Sequence, residues 1–256
     1  LTFEESGLSK WLYSVLHTEV NSLVVCQPSL LQKKKGPKTD LKDSLQLAKE
    51  LKSGNLVSVF HDDLNPFIKM RTMVSHYQSI TYDITRAKNR YKAIFRSDGN
   101  YKGGQKVYKQ TEFIEELTSE NSKMIADSIF YQIEVLSEIK KRYLDELQAF
   151  AKGNKINKLL CTIPGIDIVR ASMIAAYTAE PKRFKNKHHY WAYCGLVRYV
   201  EVSDDVVYGS KKAQGRNELK HVFCGAGESV LRGNNTFRVH YDQLRTKGLD
   251  QKKKKK

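Results

Sequence analysis

The pattern of apolar and polar residues divides the chain into three zones. The first, residues 1–66, alternates short apolar runs with helical spacings. The runs predict strands at Leu1–Phe3, Ser22–Cys26 and Leu56–Phe60, and apolar steps of three and four predict helices at Leu8–Leu16 and Asp40–Leu51. Alternating strands and helices are typical of α/β domains with some parallel pairing. We therefore predict an α/β domain in residues 1–66.

The second zone, residues 67–152, has the spacing of long helices. From Met73 to Ile94, apolar side chains recur at alternating steps of 4 and 3, which is the pattern of a coiled-coil seam. A glycine-containing segment at 97–110 interrupts the seam, and a helical stripe resumes from Ile125 to Phe150. Two long helices joined by a loop predict an antiparallel coiled-coil hairpin. The same seam fits dimerisation equally well, and the sequence leaves both open.

The third zone, residues 153–251, is mainly helical and is followed by a lysine tail at 252–256. It opens with a Pro164-Gly165 turn before a helix at Ile168–Thr178, which has the form of a helix-hairpin-helix. Such a turn can present backbone N–H groups to a phosphate. Further helices are predicted at about His188–Gly195 and from Glu218 to Leu231. The polar stretch Glu201–Gln214 between them is predicted to be a loop.

Charge favours nucleic acid as the partner. The chain carries 44 Lys and Arg against 28 Asp and Glu, a formal net charge of +16, and a polyanion best offsets the resulting self-repulsion. No apolar run approaches the length of about 18 residues that spans a bilayer, so we expect no membrane partner. Four widely spaced cysteines and the absence of a signal peptide predict a reduced, cytoplasmic protein. These cysteines and the His188-His189 pair match no zinc-ligand spacing.

Two groups of carboxylates are candidates for metal binding. Asp40 and Asp43 lie three residues apart at the start of a predicted helix that Thr39 or Asp40 would cap, and this spacing allows two carboxylates to share Mg²⁺. Glu4 and Glu5 follow a predicted strand, where α/β sheets usually carry their sites. The alternative is that the aspartates complement the helix dipole and that the glutamates are solvated residues at a helix start.

Ser203 is the candidate nucleophile. It lies in the sequence Glu201-Val202-Ser203-Asp204-Asp205, which basic residues flank on both sides. A serine among cations can attack a phosphodiester while the cations hold the phosphate. Alternatively, a serine next to aspartates in a loop forms a turn or a cap.

Taken together in this order, the motifs resemble those of insertion-sequence transposases of the DEDD-plus-serine class, recombinases that a bridge RNA guides. In the first domain the matching motifs are Glu4-Glu5-Ser6-Gly7 and Lys38-Thr39-Asp40-Leu41-Lys42-Asp43-Ser44. A coiled-coil segment follows in the family, as it is predicted to do here. The matching motifs of the second domain are Ile163-Pro164-Gly165-Ile166, Arg183-Phe184, Tyr193-Cys194-Gly195-Leu196, Ser203-Asp204-Asp205, Gly215-Arg216-Asn217-Glu218-Leu219-Lys220 and Gly225-Ala226-Gly227-Glu228-Ser229.

The resemblance implies a fold and a reaction. The fold is a partial RNase H-like (RuvC-type) α/β domain, long antiparallel coiled-coil helices, and a mainly α C-terminal domain with a helix-hairpin-helix-like start. The reaction is DNA cleavage and rejoining, in which Glu4, Asp40 and Asp43 hold Mg²⁺ and Ser203 forms a covalent bond to DNA.

The resemblance also implies partners and a location. These are DNA, a bridge RNA and further copies of the chain in a dimer or tetramer, in the nucleoid of a bacterial or archaeal cell. Besides Gly165 of the hairpin turn, we assign nucleic-acid binding to basic clusters at 33–35, 182–187 and 211–216. The individual residues are Lys38, Gly165, Lys182, Arg183, Lys185, Lys211, Lys212 and Arg216.

Departures from the family pattern keep other functions open. The family's first catalytic Asp lies on a strand before the Glu, and no residue precedes Leu1, so we expect a fragment that is truncated at both ends and lacks one ligand. Asp205 and Asp167 stand where glycines are usual, and Arg198 stands where proline is expected. One alternative is a RuvC-like nuclease that uses metal-activated water. The other is a non-catalytic nucleic-acid-binding remnant.

Overall fold

The computed structural model describes residues 1–27, 39–56, 58–61, 65–100, 104–204, 206–213 and 215–246. The chain divides into two compact units, residues 1–66 and 67–256. None of the helices in the described ranges has both the length and the apolar character needed to cross a membrane. Lys38, the basic cluster at 33–35, Asp205 and the lysine tail, all noted in the sequence, lie outside the described residues.

The first unit has a small parallel sheet. Strand β1 (Thr2–Glu4) pairs with β2 (Val24–Cys26) in parallel, and the register places Glu4 opposite Cys26. The β-branched and thiol side chains of β2 supply the buried positions, since Val25 and Cys26 are 2% and 1% exposed. The predicted strand at Leu56–Phe60 forms only an isolated bridge from Ser58 to Cys26 among the described residues.

Among the residues of this unit that the structure describes, two helices accompany the sheet, α1 (Ser9–Leu16) and α2 (Asp40–Ser53). The Oγ1 of Thr39 accepts a hydrogen bond from the Lys42 amide and caps α2, so Thr39 rather than Asp40 is the capping residue. Helix α2 ends at Gly54, whose φ of +71° is the left-handed conformation that favours glycine. Helix α2 also contacts β1, which brings its acidic first turn into the unit that carries Glu4.

The second unit is built on two long helices, α3 (Pro66–Ser97) and α5 (Glu120–Gly153), with the short α4 (Glu112–Glu115) between them. The start of α3 contacts the end of α5, where the Phe67 and Phe150 rings are 5.9 Å apart. Further along, the Arg90 guanidinium of α3 donates a hydrogen bond to Gln132 of α5. Rising numbers on α3 thus meet falling numbers on α5, so the two helices run antiparallel within one chain.

One end of this helix pair has its own core around Tyr91. The Tyr91 side chain is 0% exposed, and its ring lies 5.0 Å from Phe95 and 5.9 Å from Phe130. Burial raises the pKa of Tyr91 to about 12, and within the described chain its hydroxyl finds no hydrogen-bond partner.

We expect the substitution Tyr91→Phe to raise the free energy of unfolding by about 1 kcal/mol, because it removes a buried polar atom that has no partner and keeps the ring. Urea unfolding of both proteins measures the difference. Tyr131→Phe is the matched control, since Tyr131 lies on α5 but is 68% exposed, and it should change stability little. A loss of stability in Tyr91→Phe would show that the hydroxyl has a stabilising partner.

The other end of the second unit gathers the C-terminal helices around α7. Helix α7 (Ile168–Thr178) is buried from Ala171 to Thr178, and its small side chains let α5, α6 (Lys155–Cys161) and α9 (Asn217–Val230) approach closely. Inside this core the Asn157 amide donates to the Ser172 hydroxyl at 3.0 Å. In the described part of this unit, α8 (Lys187–Tyr193) and α10 (Thr236–Thr246) complete the set of α-helices. Of these, α10 was not predicted from the sequence.

Candidate nucleic-acid interface

The polar stretch that was predicted from the sequence to be a loop forms a β-hairpin. Strand β3 (Arg198–Ser203) pairs antiparallel with β4 (Val206–Lys212), with an irregularity in register between Glu201 and Val202. Tyrosine and valine side chains, which favour extended backbone, occupy both strands. Asp204, at the tip, has a φ of +48°, a left-handed conformation that aspartate tolerates better than most residues. The loop prediction was therefore wrong for this segment.

Ser203 is exposed at the tip of this hairpin. It is the last residue of β3 and lies opposite Val206. Because side chains alternate along a strand, Ser203 shares one face of β3 with Glu201 and Tyr199. The Glu201 carboxylate reaches across to β4, since a Cβ placed on Gly209 would lie 3.0 Å from its Oε2. The Ser203 side chain is therefore open to solvent at the tip of the hairpin.

The cations of the hairpin are concentrated at its base rather than beside Ser203. Arg198 lies opposite Lys212, and its Nε and Nη2 donate to the Ser210 hydroxyl at 3.1 and 2.9 Å. Lys211 lies opposite Tyr199. The rise per strand residue separates Tyr199 from Ser203 by roughly 13 Å. The hairpin therefore carries its positive charge at the end away from the tip, while the tip presents the serine hydroxyl. The cations do not surround Ser203.

Two further predicted binding residues, Arg183 and Arg216, lie in a partly buried group that we call the arginine–tyrosine cluster: Arg71, Arg183, Arg216, Tyr177 and Tyr193. The Arg183 Nε and Nη2 donate to the Thr178 and Tyr177 carbonyls at 3.1 and 3.3 Å, at the C-terminal end of α7. A cation is favourable there because that end of a helix carries partial negative charge.

The tyrosines join the remaining arginines of this cluster. The Tyr193 hydroxyl donates to the Tyr177 carbonyl at 2.9 Å and accepts from the Arg216 Nε at 3.0 Å. Burial lowers the pKa of the Arg71 guanidinium; Tyr193 acts in the opposite direction, and the positive charge of Arg216 lowers the pKa further. Arg71 was not predicted from the sequence, because its only signal there is a cation beside the apolar seam of α3.

The two predicted lysines of the neighbouring segment are exposed. Lys182 lies in a short 3-10 turn, Pro181–Arg183, where its amide donates to the Glu180 carboxylate at 2.8 Å. Lys185 follows and is also exposed. Their ammonium groups face solvent on the same segment as Arg183, which is compatible with phosphate contact.

The turn glycine Gly165 has a packing explanation. Its φ is +81°, and a Cβ there would lie 2.5 Å from Val230 Cγ2 and 2.6 Å from the Ala226 carbonyl oxygen. The turn therefore packs directly on α9, and the Gly165 carbonyl also accepts a hydrogen bond from Arg170 at 2.7 Å. Close approach to α9 accounts for glycine at this position, and a contact from Gly165 to phosphate stays a prediction.

The predicted metal ligands lie in the first unit. Glu4 ends β1, and Asp40 and Asp43 lie in the first turn of α2; all three residues are at least partly exposed. In the described part of the chain, no group of three or more His, Cys, Asp or Glu side chains is placed to hold a metal ion. The carboxylates have the chemistry that Mg²⁺ prefers, but they do not form a complete site as they stand.

The segment that carries the hairpin is similar to a known protein family. Residues 157–242 match the profile of the Transposase IS116/IS110/IS902 family. This match supports an IS110-type transposase. The matched segment runs from α6 into α10 and includes Gly165, Arg183, Ser203 and Arg216. Comparison of the chain with curated proteins finds no match.

Proposed function

We propose that the chain exchanges DNA strands as part of an IS110-type transposase, with Ser203 as the nucleophile. The observation that carries this proposal is that the segment matching the transposase family contains a protruding hairpin with an exposed serine at its tip. A transposase must bring a reactive group to a phosphodiester inside a bulky duplex. A hydroxyl at the end of a two-stranded ribbon meets that requirement, since a ribbon of this width fits the major groove.

The chemistry assigned to Ser203 conserves the phosphodiester bond energy. Its Oγ attacks phosphorus, the bond from phosphorus to one deoxyribose oxygen breaks, and the serine proton passes through solvent to that leaving oxygen. The DNA is then joined to the protein by a phosphoserine diester. A deoxyribose hydroxyl of another strand attacks the same phosphorus, the Ser203 oxygen leaves, and the hydroxyl is restored. No water is consumed, so the strands are exchanged rather than hydrolysed.

Magnesium is the cofactor that we propose for this reaction, with Glu4, Asp40 and Asp43 as its ligands. When bound, Mg²⁺ would polarise the scissile phosphate and stabilise the leaving oxygen. Support comes from the contact of α2 with β1, which places these carboxylates in the same unit. Because the described carboxylates form no group of three, the proposal requires them to close around the ion or to be joined by another ligand.

The partners that we propose are DNA, a bridge RNA and further copies of the chain in a dimer or tetramer, within the nucleoid of a bacterial or archaeal cell. The formal net charge of +16 supports the nucleic acids, because their binding releases counterions that the phosphates had condensed. The cations that we assign to backbone contact in the second unit are Lys182, Arg183, Lys185, Lys211, Lys212 and Arg216.

A plasmid assay tests the proposed function. The coding region of the chain with its native flanking DNA is placed on a plasmid, and amplification across new junctions detects excised circles. New junctions that depend on expression of the chain support the proposal. The second candidate, a non-catalytic nucleic-acid-binding protein, is favoured by the incomplete carboxylate group. It predicts DNA binding without any new junction, and that result would overturn the transposase proposal.

The basic base of the hairpin gives a separate prediction about DNA binding. We expect the double substitution Lys211→Gln and Lys212→Gln to reduce the slope of log affinity against log salt by about 1.8, because each lost phosphate contact lowers it by about 0.9. Fluorescence anisotropy with a random-sequence duplex at several salt concentrations measures the slope. The matched control replaces the adjacent exposed cations Lys141 and Arg142 on α5 with Gln. Equal salt slopes for the two double variants would show that the lysines at the hairpin base do not contact DNA.

A further inference from the structure

Two arginines from distant parts of the chain converge on the ring of Tyr177. Arg71 lies on α3, and its Cζ is 6.0 Å from the ring centroid; Arg216, the residue before α9, has its Cζ 5.6 Å from the same centroid. Tyr177 itself lies near the end of α7 and donates a hydrogen bond from its hydroxyl to Gln78 at 3.2 Å. The fold therefore brings two guanidinium groups to one aromatic side chain.

Within the part of the chain that the structure describes, each of these guanidiniums is anchored through a single nitrogen. The Arg71 Nε donates to the Ala176 carbonyl at 3.2 Å, and the Arg216 Nε donates to the Tyr193 hydroxyl at 3.0 Å. Among the described residues, no acceptor lies within hydrogen-bond distance of the Nη atoms of either arginine. The anchored Nε atoms fix the orientation of the two forks and leave the terminal amino groups without a hydrogen-bond acceptor among the described residues.

Among the described residues, neither charge of this pair is neutralised by an ion pair. Both arginines are partly buried, and within the described ranges neither has a carboxylate within 4.0 Å. Burial acts to lower the pKa of Arg216, but Tyr193 and the negative charge of Glu218 raise it overall, and Glu218 forms no ion pair with Arg216 among the described residues. Two partly buried like charges that lower each other's pKa are unfavourable, and an anion that contacts both guanidiniums would offset their burial and their repulsion.

We propose that Arg71 and Arg216 form a subsite for one phosphodiester group of DNA. Guanidinium forks match the geometry of phosphate oxygens and bind them bidentately, and Arg is the residue that suits such partly buried sites. DNA is the favoured source of the phosphate because Arg216 follows closely on Lys212, at the basic base of the hairpin that carries Ser203. This assignment of the ligand as DNA rests on the proposed function.

The test compares three methionine variants of the full chain. We expect Arg71→Met and Arg216→Met each to weaken binding to a random-sequence DNA duplex about tenfold, the effect of one charged hydrogen-bonded contact, and to reduce the salt slope by about 0.9. Arg90→Met is the control, because Arg90 also lies on α3 but is exposed and donates to Gln132. It should change affinity less than twofold. Inorganic phosphate should raise the melting temperature of the wild type and of Arg90→Met, but not of the other two.

Several results would overturn the subsite. If Arg71→Met and Arg216→Met bind DNA with the affinity and salt slope of Arg90→Met, the subsite is overturned. It is also overturned if these variants bind an RNA duplex of the same sequence more weakly than the wild type does but bind DNA normally. If the methionine variants do not fold, Arg71→Lys and Arg216→Lys keep the charge but lose the fork, and we expect tenfold weaker binding with an unchanged slope. Unchanged binding in the lysine variants would contradict the bidentate contact.

Failure of the subsite and failure of the proposed function are distinguishable. If the arginine variants bind DNA normally while the wild type forms new plasmid junctions, only the subsite is overturned. Arginine-dependent DNA binding by a chain that forms no junctions overturns the transposase proposal and leaves the phosphate site in place.

Discussion

Substituting alanine for Gly165 is expected to lower the free energy of unfolding by about 2–5 kcal/mol. Part of this loss, roughly 1–2 kcal/mol, comes from holding an alanine at a φ of +81°. The rest, roughly 1–3 kcal/mol, comes from overpacking, because the new Cβ would lie 2.5 Å from Val230 Cγ2 and 2.6 Å from the Ala226 carbonyl oxygen. The backbone oxygen cannot rotate away as a flexible side chain can, so the turn and α9 must move apart.

Thermal unfolding measures this loss, and α9 supplies the matched control. Gly227 is exposed on α9, and nothing lies within 4 Å of a Cβ placed there. Gly227→Ala is therefore expected to raise stability by about 0.5–1 kcal/mol, because alanine loses less conformational freedom in a helix than glycine does. Opposite signs for the two Gly→Ala changes support the packing account. A Gly165→Ala protein as stable as the wild type, with weaker DNA binding, would instead assign Gly165 to the nucleic-acid contact.

Substituting alanine for Ser203 is expected to reduce new-junction formation at least about a thousandfold, because the variant has no group that can form the covalent intermediate. DNA affinity should stay within about twofold of the wild type, since the hydroxyl is one small exposed group away from the basic base of the hairpin. Quantitative amplification of the plasmid junctions and fluorescence anisotropy measure the two quantities separately.

The control for this prediction is Ser128→Ala, which removes an exposed serine hydroxyl on α5 and should leave junction formation unchanged. Cutting of the flanking DNA that survives in Ser203→Ala would favour the RuvC-like nuclease, in which metal-activated water attacks phosphorus. A large fall in DNA affinity would show that Ser203 contributes to binding, and it would weaken the argument for a chemical role.

Helices were the part of the fold that the sequence predicted best, because their apolar faces repeat with a fixed period. The seam that steps from Met73 to Ile94 lies within α3, and the stripe that ends at Phe150 lies within α5. Whether such a seam pairs inside one chain or between two cannot be decided from periodicity. The contact of Arg90 with Gln132 and the facing rings of Tyr91 and Phe130 show the pairing within this chain.

The hairpin was missed because it does not bury either face. Alternation of apolar and polar residues signals a strand when one face is buried, whereas here Val200, Val202 and Tyr208 are 60%, 53% and 67% exposed. Because charged residues lie among these exposed apolar ones, the segment had the mixed composition that is typical of loops. The valine and tyrosine content on both sides of the Asp204-Asp205 pair was the available signal for two strands and a turn.

Candidate site residues could be selected from the sequence, but their surroundings could not. Ser203 was singled out by its neighbours along the chain, yet the cations expected around it lie at the base of the hairpin. Arg71 contacts the Ala176 carbonyl across a separation of 105 residues, and no local pattern predicts such a contact. Gly165 was correctly placed in a turn, but its contact with α9 depends on tertiary packing.

Mass spectrometry of the covalent protein–DNA intermediate tests the central claim most directly. The wild-type chain is isolated under denaturing conditions from cells that form plasmid junctions, treated with nuclease and digested with trypsin, which releases the peptide of residues 199–211. This peptide contains Ser203 and Ser210, and fragmentation distinguishes them. We predict a nucleotide joined through phosphate to Ser203. Junction formation with the nucleotide on another residue, or with no modified peptide at all, would contradict serine attack at the hairpin tip.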